Sequence, residues 1–332
     1  MTTGSITLSA QDLTLEVLRR GASVRRLDVT DVAGRTANVV LGLPSPQDYA
    51  TAPGYHGATV GRYANRIGGG RFTLDGEEHQ VPPNEGDNAL HGGPEGFDQR
   101  DWEVLEQDDH RVLLRLISPD GDQGFPGTLT ATVAFTVSPG EVRLDYTATT
   151  DRPTVVSLTN HAYLNLDGEG SGSTDEHLLS VEADHYTPVG PDLLPTGEIA
   201  AVDDTPFDWR TPTVVGERVR TPHPQHLAGL GLDHNFVLRG TGMRRAATLT
   251  SPQRGLTLEV HTDRPGLQVY TGNQLDGTLT GTCGRLYRQG DGIALETQAF
   301  PDAPNRPEFP AAVLRPGQTL RTSTLWSFRP AD

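Results

Sequence analysis

Apolar residues recur at every second position along most of this chain, and sustained helical periodicity is hard to find anywhere in it. Leu13, Leu15 and Val17 alternate with Thr14 and Glu16, and a turn at Gly21 leads on through Val24 towards Val29. The same period returns at Val112, Leu114 and Leu116. It continues at Leu129, Ala131, Val133, Phe135 and Val137, which Ser138-Pro139-Gly140 turns back into Val142, Leu144, Tyr146 and Ala148, and it recurs at Leu256–Val260 and Leu267–Val269. A strand sends successive side chains to opposite faces, so this pattern predicts half-buried strands rather than helices. Frequent turns fit the same reading, since the chain carries 38 Gly and 25 Pro. The expected class is all-β, with two or more antiparallel sheets packed together.

Length leaves one large domain or two open, because all-β domains often run past 200 residues and the chain has 332. No abrupt composition shift, fixed-period repeat or low-complexity tract marks a boundary. Glu169–Asp175 and Thr221–Leu232 read as flexible loops, the second with a His-Pro-Gln-His run, and Asp108-Asp109 and Asp203-Asp204 read as solvated turns.

Charge and composition narrow the chemistry. A net charge of −16, from 43 acidic and 27 basic residues, argues against nucleic acid, anionic membranes and polyanionic substrates, and suits a small neutral ligand. All 27 basic residues are Arg. That excludes a Schiff-base lysine and a lysine-bearing phosphate loop. Cys283 is the sole cysteine, so an intramolecular disulfide, a multi-thiolate zinc site and an iron–sulfur cluster are excluded. The first twenty residues have neither a basic n-region nor a continuous apolar stretch, and no run of 18 apolar residues follows, so the expected setting is cytoplasmic, without a membrane partner.

Several polar spots stand out against this background. Glu296 follows directly on Ile293, Ala294 and Leu295, at the point where a buried strand opens into the Pro-rich segment from Pro301. A carboxylate half in low dielectric has its pKa raised from about 4.3, towards the range of a general base; an ion pair with Arg is the plainer alternative. Asn65 and Arg66 precede three glycines, but GxGxxG spacing is missing, so a turn presenting both side chains is expected rather than a nucleotide loop. His91 lies in a Gly-flanked turn. His161 and Tyr163, two apart, should project together from a strand. Asp233 and His234 cannot both face one way if extended. Gln268 and Tyr270 share a face of an otherwise apolar strand, and a buried Gln must satisfy its amide. HExxH, HxH and GxSxG are absent, so neither a metal nor a serine nucleophile is expected. An acid–base pair of Glu and His survives these exclusions.

Taken in order, the segments GRYANRIGGGRFTLDG, NALHGG, TNHAYLNL, ADHYTPVGPDLLPTGEI, LDHNF, GLQVYTGNQLDGT and LETQAFPDAPNRPEF resemble the galactose mutarotase (aldose 1-epimerase) family over essentially the whole chain. The resemblance implies one domain over residues 1–332, folded as a large antiparallel β-sandwich of the galactose mutarotase-like supersandwich type with an open sugar-binding cleft. It implies no cofactor, a monosaccharide as the only partner, and a monomer or homodimer. The implied reaction interconverts the α and β anomers of free aldohexoses such as galactose and glucose. By position, Glu296 is then the base that takes the anomeric hydroxyl proton and His161 the acid that protonates the ring oxygen. Asn65, Arg66, His91, Tyr163, Asp233 and Gln268 form the sugar-binding set. Arg-rich relatives act on hexose 6-phosphates, but no additional Arg cluster occurs here, and free sugar is expected. Two alternatives stay open: a glycoside hydrolase with Asp233 and Glu296 as paired carboxylates, and a sugar-binding module without catalysis.

Overall fold

The alternation becomes strands where it was read. In the computed structural model, which describes residues 4–331, Leu129–Ser138 and Glu141–Thr150 pair antiparallel with Ser138 opposite Glu141. Gly140, at φ 71°, makes the turn in the left-handed region that glycine enters without steric cost. Leu129, Ala131, Val133, Phe135 and Val137 are all buried, as are Val142, Leu144, Tyr146 and Ala148 on the partner strand.

These two strands belong to a nine-stranded sheet. Its order is Glu103–Gln107, Arg111–Ser118, Leu129–Ser138, Glu141–Thr150, Leu320–Pro330, Leu256–Thr262, Arg244–Ser251, Leu178–Val181 and Thr213–Val214. A six-stranded sheet runs Tyr163–Leu164, Ile293–Gln298, Gly266–Tyr270, Asp233–Leu238, Ala183–Thr187, Ala200–Ala201. A four-stranded meander covers Ser5–Ala10, Leu13–Leu18, Ser23–Thr30 and Thr36–Asn38. Every strand pair in these three sheets is antiparallel. One apolar cluster joins them, with Leu15 and Leu27 from the meander, Phe135 and Leu258 from the nine-stranded sheet, and Val269 and Leu295 from the six-stranded one. The molecule is thus a large β-sandwich, and burying these faces is its main source of stability.

Two loop readings change. Within Thr221–Leu232, Pro224–Gly229 forms a short α-helix whose N-cap is His223, its ring accepting from the Gln225 amide at 3.3 Å. Pro at the first helical position costs nothing, because that N–H has no partner inside a helix. Glu169–Asp175 is pinned rather than free. The Glu169 carboxylate accepts from Tyr287, Thr282 and Asn38, which lie more than a hundred residues away in either direction. Among the described residues no helix is long and apolar enough to cross a membrane.

Candidate active site

Register places the polar groups of the six-stranded sheet on one face. Asn235 lies opposite Gln268, and Gln268 opposite Glu296. In the next row Asp233 faces Tyr270, Tyr270 faces Ala294 and Ala294 faces Tyr163. Residues two apart share a face, so Asp233, Tyr270, Tyr163 and Glu296 all project from the side opposite to Val269 and Leu295. Above them lies a cavity of about 360 Å³, within the roughly 300–1,000 Å³ typical of small-molecule sites. Its walls include Asn65, Arg66, His91, His161, Tyr163, Asp233 and Glu296.

Glu296 ends up buried at 2% exposure, on a strand buried at all six positions. His161 comes to it from a break between Thr159–Asn160 and Tyr163–Leu164. Both ends of that break are tied to the loop at Gly57: His161 N–H donates to Ala58, Gly57 N–H donates to His161, and the Asn160 amide donates to Gly57 at 2.7 Å. His161 Nε2 lies 3.7 Å from Glu296 Oε1. Burial, then the Asp233 charge, pushes the Glu296 carboxyl well above the usual carboxylate range. Burial also pulls the His161 imidazole down to about 4. Glu296 Oε2 and His161 Nδ1 have no protein partner.

His91 and Asn65 hold each other. Both adopt positive φ, 53° and 66°, and each backbone N–H donates to the other residue: His91 N–H to the Asn65 carbonyl, Asn65 N–H to His91 Nδ1, both at 3.1 Å. Gly92 permits this, since a Cβ there would stand 2.0 Å from the Gly61 carbonyl oxygen. The Asn65 bond occupies the lone pair on Nδ1, so the neutral His91 ring carries its hydrogen on Nε2 and can donate. His91, His161 and Glu296 have ligand atoms within 4.8 Å of one another, the spacing of a metal site. A His ligand ordinarily donates from its second nitrogen, whereas here that nitrogen accepts, which disfavours His91 as a ligand.

Asp233 and Arg66 complete the wall. Gln268 donates to Asp233 Oδ1 at 2.6 Å, and both terminal nitrogens of Arg66 approach Oδ2 at 3.4 Å. Arg66 also clasps Glu85, Nε to Oε2 at 2.5 Å and Nη2 to Oε1 at 2.8 Å. Burial works to discharge the Arg66 guanidinium, but Asp233 and Glu85 outweigh it and raise its pKa. Its backbone is held by the segment after Glu296: Asp302 N–H donates to the Arg66 carbonyl at 2.8 Å, and Gly68 N–H donates to Asp302 Oδ1 at 2.9 Å. His234 turns to the opposite face, where Nδ1 accepts from Asp233 N–H and Nε2 meets Gln225 Oε1, each at 3.1 Å.

Seven of the eight residues singled out from the sequence therefore line one cavity. Gln268 stands behind Asp233 instead, 2% exposed and outside the lining. Three further lining residues, outside the expected sugar-binding set, shape the wall. Tyr55 packs its ring edge-on to His91 at 4.5 Å and lies 5.9 Å from the His161 ring. Tyr270 stands 5.9 Å from Tyr163, and Glu85 holds Arg66. Tyr270 was within reach of sequence reasoning, since it shares the face of Gln268; Tyr55 and Glu85 sit on loops whose local spacing carries no signal.

Comparison with known proteins follows the same outline. The family model described as aldose 1-epimerase matches residues 4–327. Galactose mutarotase from Bos taurus is 42% identical over 324 residues, spanning 97% of this chain and 92% of that protein. Aldose 1-epimerase from Escherichia coli K12 is 41% identical over 309 residues, spanning 91% and 88%. Among solved structures, an aldose epimerase homologue from C. elegans superposes with a TM-score of 0.93 at 32% identity over 99% of both chains. A galactose 1-epimerase from Lactobacillus acidophilus gives 0.87 at 32%, over 99% of this chain and 95% of that one. A match of this extent in sequence and in fold settles the lineage: the chain belongs to the aldose 1-epimerase family.

Proposed function

We propose that this chain, one domain over residues 1–332, is a mutarotase acting on free aldohexoses such as galactose and glucose, with Glu296 and His161 as its acid–base pair. The observation that carries the assignment of roles is the 3.7 Å approach of His161 Nε2 to Glu296 Oε1, two buried side chains in the cavity wall. Ring opening moves two protons at once. The Glu296 carboxylate takes the proton of the C1 hydroxyl, the His161 imidazolium delivers one to the ring oxygen, and the C1–O bond breaks to give the open-chain aldehyde. Rotation about C1–C2 turns the other face of the carbonyl to the C5 hydroxyl. Reclosure reverses the transfers, with the Glu296 carboxylic acid protonating the carbonyl oxygen and neutral His161 accepting the C5 hydroxyl proton.

The pair holds the same number of protons before and after opening. Carboxylate with imidazolium, and carboxylic acid with imidazole, carry the same net charge, so the cavity never has to bury an added ion. Burial raises Glu296 and lowers His161, which favours the uncharged arrangement in the empty cavity. The ion-pair arrangement that opens a ring then requires one proton to pass from Glu296 to His161 when the sugar binds. A second proton blocks the pair below the His161 value of about 4, and loss of the last one blocks it above the raised Glu296 value.

The remaining wall groups suit a polyhydroxylated ring. His91 Nε2–H and the Arg66 guanidinium donate, Asp233 Oδ2 accepts, and Tyr55, Tyr163 and Tyr270 offer aromatic surface to the C–H faces of a sugar. Gln268 acts as a positioning residue by holding Asp233. Pairing Asp233 with Glu296 as a glycosidase receives less support, because the Asp233 carboxylate is already engaged by Gln268 and Arg66. A cytoplasmic setting fits a chain whose only cysteine, Cys283, is exposed and free.

Polarimetry of freshly dissolved α-D-galactose and α-D-glucose tests the reading. Pure protein should speed the approach to equilibrium well beyond buffer alone, and no acceleration with any common aldose overturns it. Release of reducing sugar from a galactoside would favour the hydrolase instead.

A further inference from the structure

The one cationic side chain in the cavity wall is not free. Arg66 is the only Arg among the lining residues, against the carboxyl groups of Glu85, Asp98, Asp233, Asp276 and Glu296. Its guanidinium is buried, 4% exposed, and both of its edges are engaged, by Glu85 along Nε and Nη2 and by Asp233 at Nη1 and Nη2. Glu85 itself is 28% exposed and comes from a tight turn, Glu85 N–H to the Asn88 carbonyl and Asn88 N–H back to Glu85 at 3.1 and 2.9 Å. Asn88 is tied in turn to Gly69, three residues after Arg66, whose N–H donates to Asn88 Oδ1 at 3.0 Å. A rigid loop therefore presents one carboxylate to the outer edge of Arg66, in the bidentate geometry that matches a guanidinium best.

We propose that Glu85 sets the charge specificity of the cleft: by occupying Arg66 it leaves no free cation in the wall, and so excludes aldoses that carry a carboxylate, the hexuronates. The inference rests on the mutarotase reading for its substrate frame. D-Galacturonate differs from D-galactose only in an oxidised C6, so shape changes little while a full negative charge is added. Within a cavity whose one Arg is already paired with Glu85 and Asp233, that charge meets the repulsion of those two carboxylates and no unpaired partner. Removing the Glu85 charge frees the Nε and Nη2 edge of Arg66 for a substrate carboxylate.

The test compares D-galactose, D-galacturonate and the neutral methyl ester of D-galacturonate by polarimetry, in the wild-type protein and in Glu85→Gln. The wild type should use galactose and the methyl ester, and turn over galacturonate with kcat/KM at least tenfold lower than the ester. In Glu85→Gln the gap between ester and acid should narrow tenfold or more through a lower KM for the acid, and high salt should reduce that gain. Glu85→Asp, which keeps the charge, should keep the gap. Equal use of acid and ester by the wild type overturns the proposal, and so does an equal change for both in Glu85→Gln. If the wild type accelerates no aldose, the mutarotase reading has failed, and titration calorimetry of acid and ester decides the Glu85 proposal separately: tighter acid binding in Glu85→Gln upholds it, an unchanged ratio overturns it.

Discussion

The two large sheets solve the same packing problem with opposite chemistry. In the nine-stranded sheet, Leu129–Ser138 and Glu141–Thr150 bury apolar side chains on the inner face and turn Thr132, Thr136 and Arg143 outward. In the six-stranded sheet, Ile293–Gln298 and Gly266–Tyr270 are buried at every position, yet one face carries Glu296, Gln268 and Gln298. Both obey the two-residue period. What distinguishes them is which polar residues are covered: a sheet that hides carboxylates and amides does so at a desolvation cost, and function is the compensating gain. Alternation therefore locates strands, and polarity under cover locates the site.

The sharpest way to break this contrast is to neutralise the cleft face. Glu296→Gln should lower kcat by a factor of about 10²–10⁴, the usual contribution of a general base. Stability should move the other way. Burial raises the folded pKa of Glu296, so its contribution is complete below the unfolded value of about 4.3 and is lost as pH rises through the folded one. Glu296→Gln should consequently melt higher than wild type near neutrality and alike near pH 4. Wild-type turnover in the variant would remove Glu296 from the mechanism.

The complementary change lies in the other sheet. Phe135, fully buried, should cost about 3–5 kcal/mol of unfolding free energy when replaced by Ala. Below its melting range that variant should keep wild-type kcat and KM, as shown by denaturant titration alongside polarimetry. A catalytic loss at low temperature would mean that the sheets are coupled.

Acid should weaken the polar regions selectively. His56 and His161 are drawn down to about 4 and His234 to about 3, each by burial first. Their contribution is intact above the unfolded value of about 6.5 and is lost as pH falls towards the folded values, roughly 1.4 kcal/mol per pH unit for each. Burial holds His91 well below 6.5 in the same way, and Glu296 works against these rings over the same interval, so unfolding free energy should still fall as pH drops from 6.5 to 5. Denaturant titrations across that interval check it, and a flat profile would contradict the burial of these rings.

The mildest perturbation is Gln268→Ala. It strips the donor from Asp233 Oδ1 and should raise KM for galactose about tenfold with a smaller change in kcat, the cost of one charge-assisted hydrogen bond. A kcat loss as large as that of Glu296→Gln would make Gln268 more than a positioning residue.

Much of this was legible in the residues. Period-two runs marked both partners of the Leu129–Thr150 hairpin, and the apolar run before Glu296 marked a buried strand end. The pairing of Asp233 and His234 with opposite faces followed from strand geometry alone. Distance in sequence hid the rest. Glu169 meets Thr282 and Tyr287 across more than a hundred residues, so its loop looked free although its carboxylate is fully engaged. The strand face of Gln268 was legible, but its depth was not, because that depends on Asp233 standing in front of it. The helix at Pro224–Gly229 is too short to show a periodic stripe.

Strand order carries one more consequence, for how the molecule comes to be. Leu320–Pro330 lies between Glu141–Thr150 and Leu256–Thr262, joining the two halves of the nine-stranded sheet. Both neighbours are synthesised long before it. Until it leaves the ribosome, two long inner edges stand open with their amides and carbonyls unpaired, inviting pairing with other chains. The sheet closes only when this strand enters it, through contacts far apart in sequence, which makes for slow folding.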